Sequence, residues 1–200
     1  VLTLAFDTSA SGFSVALLDD EKILQENIIS ESGKQSELLV PEIEKILKTQ
    51  KIWYQDLDLI AATNGPGTFT GTRIALTVAR TLKAALNIPT IFVNCLEAAA
   101  FVNKMHEGKI VVTLDAAMDE VFIAEFFCKN KKLETVSEPH LASAADVSQF
   151  FPKDNFLLCK NFPTAKIVGL LAYEKFSTNN FSQNSDALYL RAPRIMERKK

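Results

Sequence analysis

Apolar and polar positions follow two different rhythms along this chain. "LTLAFD" (2–7) and "FSVALLD" (13–19) are short, nearly continuous apolar runs separated by the small polar turn "SASG". Runs of that length, bounded by turn residues, predict buried strands. "KILQENIIS" (22–30) continues as a third strand. In "SELLVPEIEKILKTQ" (36–50) the rhythm changes, and Leu39, Ile43, Ile46 and Leu47 recur at i, i+4, i+7 and i+8. That is the stripe of an amphipathic helix. Pro41 falls inside it, so the helix is predicted to start late or to kink. A short buried strand follows in "LDLIAATNG" (57–65), then a Gly-Pro-Gly turn and an apolar helix. "IPTIFVN" (88–94) predicts a strand and "CLEAAAFVNKM" (95–105) a helix. The first half therefore reads β-β-β-α-β-α-β-α.

The second half repeats the opening plan. "IVVTLDAAMDEVFIAEFF" (110–127) matches "LTLAFDTSASGFSVALLD" (2–19): an apolar strand ending in Asp, two small residues, a polar turn and a second strand. Asp7 and Asp115 occupy matching places, which points to an internal duplication. "LASAADVSQFF" (141–151) and "PTAKIVGLLAYEKF" (163–176) predict helices, with "NFLLC" (155–159) a strand between them. "STNNFSQNSD" (177–186) predicts a flexible loop. The expected division is 1–105 and a smaller 106–187, with the C-terminal segment 188–200 packing back on the first part.

"NGPGTFTGTRIALTVARTL" (64–82) is the most distinctive stretch. It is not a Walker A loop, because "TR" follows Gly71 where that loop needs Lys and a hydroxyl residue. Nor is it a dinucleotide fingerprint, because Gly71 comes one position too late after Gly67. A general anion site at the helix N-terminus stays open, through Thr68, Thr70 and the free amides. The helix itself carries Gly71, Ala75 and Ala79 at i, i+4 and i+8, while Ile74, Leu76, Val78, Leu82 and Leu86 spread apolar surface around it. This arc is too wide for one core-facing stripe. Two readings stand: ordinary burial between a sheet and a neighbouring helix, or one face on the sheet and the other on a partner protein.

Composition narrows the class. Two hundred residues with 48% hydrophobic content can bury a real core. No apolar run approaches the roughly 18–20 residues of a membrane span. Cys95, Cys128 and Cys159 are odd in number, far apart and set in or beside apolar stretches, which suits buried free thiols in a reducing cytoplasm. The net charge of −2 argues against a standalone nucleic-acid binder. The basic "RIMERKK" (194–200) is either a solvated end or a phosphate-touching tail.

Familiar catalytic patterns are missing. His106 and His140 stand alone, with no HxxxH or HExxH pair, and no GxSxG elbow occurs. Asp115, Asp119 and Glu120 form an acidic group that is either solvated or a water-mediated metal site. Asp7, Thr8 and Ser9 could line a nucleotide phosphate pocket, with Asp115 facing them across a cleft.

Two hairpin-led halves with an Asp at each mouth resemble the actin, sugar-kinase and heat-shock ATPase superfamily. Within it, "NGPGTFTGTRIALTVARTLKAAL" resembles the signature of the bacterial tRNA threonylcarbamoyladenosine biosynthesis family TsaB, also called YeaZ, approximately GPGSFTGLRIG. "LAFDTSASGFSVAL", "SELLVPEIEKIL", "LDAAMDEVFIAEF" and "LYLR" match further family segments in order and cover most of the chain. Two departures are Gln35 for a usual His and Ala187 for a usual Pro. The catalytic relative TsaD carries an HxxxH metal pair. Here the corresponding helix start has only Gly33, Gln35 and Glu37, as in a non-catalytic paralogue.

The resemblance implies an α/β fold of two similar actin-like (ribonuclease H-like) subdomains, each a mixed sheet flanked by helices. It implies a subunit with no catalytic or metal-ligating residue of its own, in a cytoplasmic complex with a TsaD-like catalytic paralogue and a TsaE-like ATPase. That complex forms N6-threonylcarbamoyladenosine beside the anticodon of tRNAs reading codons that begin with A. The chain would meet tRNA indirectly and pair with itself when alone. Helices at about 36–48 and 70–86 would dock the partner, through Ser36, Leu39, Ile43, Thr70, Arg73, Ala75, Leu76, Ala79, Arg80 and Lys83. Asp7, Thr8, Ser9 and Asp115 would mark a vestigial nucleotide site, and ATP with Mg²⁺ stays open at the complex interface. The alternative is an independent ATP-binding kinase or ATPase using Asp7 and Asp115. A glycoprotease, a label attached to this branch, lacks its metal ligands.

Overall fold

The computed structural model describes residues 1–150, 156–181 and 186–191, with side chains 148–150 left aside. The basic tail 194–200 lies outside the described residues. The first sheet has the order β3-β2-β1-β4-β5, formed by β1 (Leu2–Asp7), β2 (Phe13–Asp19), β3 (Lys22–Ile29), β4 (Leu59–Gly65) and β5 (Thr90–Asn94). β1, β4 and β5 are parallel, while β2 and β3 run antiparallel. β1, β2 and β4 are covered on both faces, which is why they read as unbroken apolar runs.

Helices α1 (Gln35–Gln50) and α2 (Phe69–Leu86) cover one face, where Leu4, Phe6, Val15 and Leu17 meet Leu39, Ile43, Ala75 and Ala79. α1 does not start late. It begins at Gln35 and continues through Pro41, which is exposed and removes one backbone donor. α3 (Cys95–Phe101) is shorter than its apolar pattern suggested, giving way to a turn at Asn103–His106. Its buried residues are shared between two cores, one under each sheet, because it is wedged between them.

The second sheet copies the first. β6 (Gly108–Asp115) and β7 (Glu120–Lys129) pair antiparallel, and β10 (Phe156–Cys159) lies parallel to β6 as β4 does to β1. β7 also pairs with β8 (Lys132–Thr135) and β9 (His140–Ser143). Residues 140–143, expected to open a helix, instead form β9, and α4 begins only at Ala144.

The expected boundary at 105/106 does not divide the packing. α5 (Ala165–Ser177) follows the second sheet in sequence but covers the back of the first, where Ala165, Val168 and Ala172 meet Ala5, Ala16 and Leu18. Gly169 makes the approach close enough that a Cβ would lie 2.5 Å from Leu18 Cδ1. Small residues on both surfaces favour this return over a helix held on the second sheet. No helix among the described residues is long and apolar enough to cross a membrane.

Candidate functional site

The loop before α2 is built against the mouth of the β1–β2 hairpin. Asp7 ends β1 at 2% exposure, and its Oδ1 accepts from Ser9 Oγ (2.6 Å), Ser9 N (3.1 Å) and Thr63 Oγ1 (2.6 Å). Burial raises the carboxyl pKa, and the hydrogen bonds from Ser9 and Thr63 oppose the rise. Thr8 Oγ1 donates to the Gly71 carbonyl (2.6 Å), and Thr68 N donates to the Ser9 carbonyl (2.8 Å). The glycines answer to space. A Cβ on Gly67 would sit 2.5 Å from Ser9 O, and one on Gly71 would sit 1.8 Å from Thr8 O. The Gly65–Pro66 peptide is cis. Nearby, burial and the Asp7 charge push the Cys95 thiol far up, so it is an inert core group.

Asp7, Thr8 and Ser9 are thus all internal, and none lines a cleft. The expectation that they face Asp115 as a phosphate pocket is corrected on that ground: their polar atoms hold the loop. The open anion reading at α2 also narrows. The Gly71 amide is capped by Thr68 Oγ1 at 3.2 Å, and the Thr68 amide is taken by Ser9.

The residues expected at a partner surface separate by burial. Leu39, Ile43, Ala75, Leu76 and Ala79 are each 3% exposed or less. They cannot touch a partner directly, because the small-residue stripe of α2 is used against the chain's own sheet and α1. Ser36, Thr70, Arg73 and Arg80 are exposed, and Lys83 is half-buried. Thr70, Arg73, Thr77 and Arg80 share the outer face of α2, since residues three or four apart lie above one another. Gln35, which stands where the family's usual His was expected, is buried and donates through Nε2 to the Ser11 carbonyl at 2.8 Å. It ties α1 to the hairpin turn.

A cleft of about 640 Å³ opens between the two hairpins. Ala10, Ser11 and Thr68 line one side, Asp115 and Phe122 the other, and Leu188–Arg191 closes the end. That closing segment was not signalled by any periodicity. Leu188 N donates to the Asn64 carbonyl (2.8 Å), and Tyr189 stacks on Phe69 with ring centroids 5.1 Å apart. Arg73 lies 3.7 Å over the Phe69 ring and donates from Nε to the Tyr189 hydroxyl at 3.0 Å. Arg191 pairs with Glu120 across the cleft. The strap therefore ties the α2 N-terminus to the second hairpin.

Nucleotide with Mg²⁺ does not fit this donor set. Asp115 is the carboxylate among the described lining residues, and its Oδ1 accepts the Ala117 amide at 2.8 Å. Arg191, the lining cation, is already matched by Glu120. No group of three His, Cys, Asp or Glu among the described residues is arranged to hold a metal ion.

Comparison with known proteins agrees with this architecture. The profile of the family described as TsaD, tRNA N6-adenosine threonylcarbamoyltransferase, matches residues 22–177. The tRNA threonylcarbamoyladenosine biosynthesis protein TsaB of Bacillus subtilis (strain 168) is 33% identical over 143 residues, covering 72% of this chain and 62% of that protein. TsaB of Buchnera aphidicola subsp. Schizaphis graminum (strain Sg) is 33% identical over 138 residues, covering 67% and 64%. The chain thus spans less than two thirds of the length of these relatives. YeaZ from Pseudomonas aeruginosa shares the fold, with a TM-score of 0.79, 23% identity and coverage of 94% and 99%. The chain belongs to the TsaD family, tRNA N6-adenosine threonylcarbamoyltransferase, and resembles the relatives named TsaB.

Proposed function

We propose that this chain is a non-catalytic partner subunit in N6-threonylcarbamoyladenosine formation, docking a TsaD-like catalytic paralogue through the outer faces of α1 and α2. A TsaE-like ATPase would join that pair, tRNA would be the substrate of the whole, and self-pairing would occupy the same face when the partner is absent. The observation that carries the reading is the fate of the Asp7–Thr8–Ser9 group. Its polar atoms are spent holding the loop and α2, leaving a rigidly mounted helix where a kinase or ATPase would need a ligand-facing carboxylate. Names of relatives supply the reaction, and the mounting supplies the chain's part in it. The complex would act in the cytoplasm.

The test is transfer of labelled threonine to tRNA by the catalytic paralogue, the ATPase and the adenylate-forming synthase, with and without this chain. Thr77 is exposed at the centre of the α2 outer face. Thr77→Trp is expected to abolish transfer while leaving the melting temperature of the chain unchanged. Transfer that proceeds equally well without the chain would overturn the reading. Nucleotide hydrolysis by the chain alone, lost in Asp115→Ala, would favour the kinase or ATPase alternative.

A further inference from the structure

At the far end of the second sheet the chain concentrates positive charge that folding does not ask for. β7 turns into β8 through Asn130 and Lys131, with φ of 52° and 63°. A two-residue hairpin turn with both residues left-handed favours Asn followed by Gly, because a Cβ is disfavoured there. Position 131 carries Lys instead. Lys129 and Lys132, which close the turn, stand directly opposite each other in the ladder, where like charges repel. All three lysines are exposed, and none forms an ion pair among the described residues. Lys104 and Lys109, by contrast, are matched by Glu174 (2.7 Å) and Glu125 (2.5 Å). Glu107 meets the turn through its Oε1, which accepts the Asn130 amide at 3.0 Å and so steadies it.

An aromatic group shares the surface. Phe127 is two positions before Lys129, on the same side of the strand, and is 42% exposed. It lies between Lys109 and Glu134 across the ladder. A half-exposed ring beside unpaired lysines suits a nucleic-acid strand, whose bases stack on aromatics while its phosphates take the cations. An acidic peptide would use the lysines but gives no reason for the exposed ring.

We propose that the β7–β8 turn is an RNA-contacting surface, with Lys129, Lys131 and Lys132 on phosphodiester oxygens and Phe127 under an unpaired base. Naming RNA rests on the proposed function above. The net charge of −2 is no obstacle, because at ordinary salt a contact surface is felt over roughly one 10 Å Debye length.

The experiment titrates labelled tRNA with the full chain assembled with its catalytic partner, and with the chain alone, at roughly 50 to 200 mM salt. The Lys129→Gln/Lys131→Gln/Lys132→Gln variant is expected to flatten the slope of log affinity against log salt by about two to three, near 0.9 per lost phosphate contact. Phe127→Leu is expected to weaken binding without changing that slope. Lys132→Glu separates structure from contact: it puts opposite charges across the ladder, so it raises the melting temperature while weakening tRNA binding. An unchanged slope in the triple variant overturns the proposal, as does Lys132→Glu binding as tightly as the wild type. A changed slope in a chain that threonine transfer does not require would sink the proposed function and leave this surface standing. Required transfer with an unchanged slope would do the reverse.

Discussion

Asp7 shows how a side chain that looks reactive in sequence becomes structural in space. Burial raises its folded pKa above the ordinary 3.8, so the folded state holds this proton more tightly than the unfolded chain does. The contribution to stability is complete below about pH 3.8 and is lost as pH rises through the raised folded value. Asp7→Asn keeps a carbonyl acceptor for Ser9 and Thr63 and cannot titrate. Urea unfolding across that window should therefore show a decline in the wild type that the variant lacks. Asp7→Ala leaves two buried hydroxyls without their acceptor and should cost about 2–4 kcal/mol at any pH. The carboxylate and its flanking hydroxyls were legible as a chemical group from residues 7–9 alone. Their burial was not, because it depends on Thr63 and Gly71, which lie 56 and 63 positions away from their partners.

At the scale of elements, two helices use small residues for the same purpose. α2 sets Gly71, Ala75 and Ala79 against one side of the first sheet and α1, and α5 sets Ala165, Gly169 and Ala172 against the other. Periodicity located both helices, yet it could not say which neighbour the α2 stripe meets. A stripe of Gly and Ala fits a sheet and a partner equally well, and only the tertiary fold decides. Short β9 escaped notice because "HLAS" has neither length nor alternation, whereas the long apolar runs of β1, β2, β6 and β7 left little doubt. The two glycines differ in what opposes an added methyl. At Gly71 it is the Thr8 backbone carbonyl at 1.8 Å, and at Gly169 the nearest atom is the end of the Leu18 side chain at 2.5 Å. Gly71→Ala should therefore cost more stability than Gly169→Ala, with the former at about 3 kcal/mol or more and the latter at about 1 kcal/mol. Thermal melts of the two variants check the order, and equal losses would mean that the loop yields as readily as a leucine.

The whole molecule is a duplicated pair of hairpin-led sheets whose halves are not interchangeable. The first sheet is covered on both faces only because α5 returns to it, burying Ala5, Ala16, Leu18, Leu59 and Ala61. A fragment of residues 1–105 would leave this face open to water. It should bind a hydrophobic dye and unfold without a sharp transition, while the full chain does neither; a sharp, dye-free melt of the fragment would contradict that dependence. The repeat of Asp7 at Asp115 made the duplication readable. The crossing helix was not readable, since nothing in residues 165–177 names the sheet they cover.

That crossing has a consequence for how the protein is made. Chains leave the ribosome from the N-terminus at roughly 5–20 residues per second. The strands of the first sheet are therefore complete several seconds before α5 emerges to cover them. Throughout that interval a bare apolar face waits beside the nascent chain, suited to a chaperone that releases its client only when the last helix arrives.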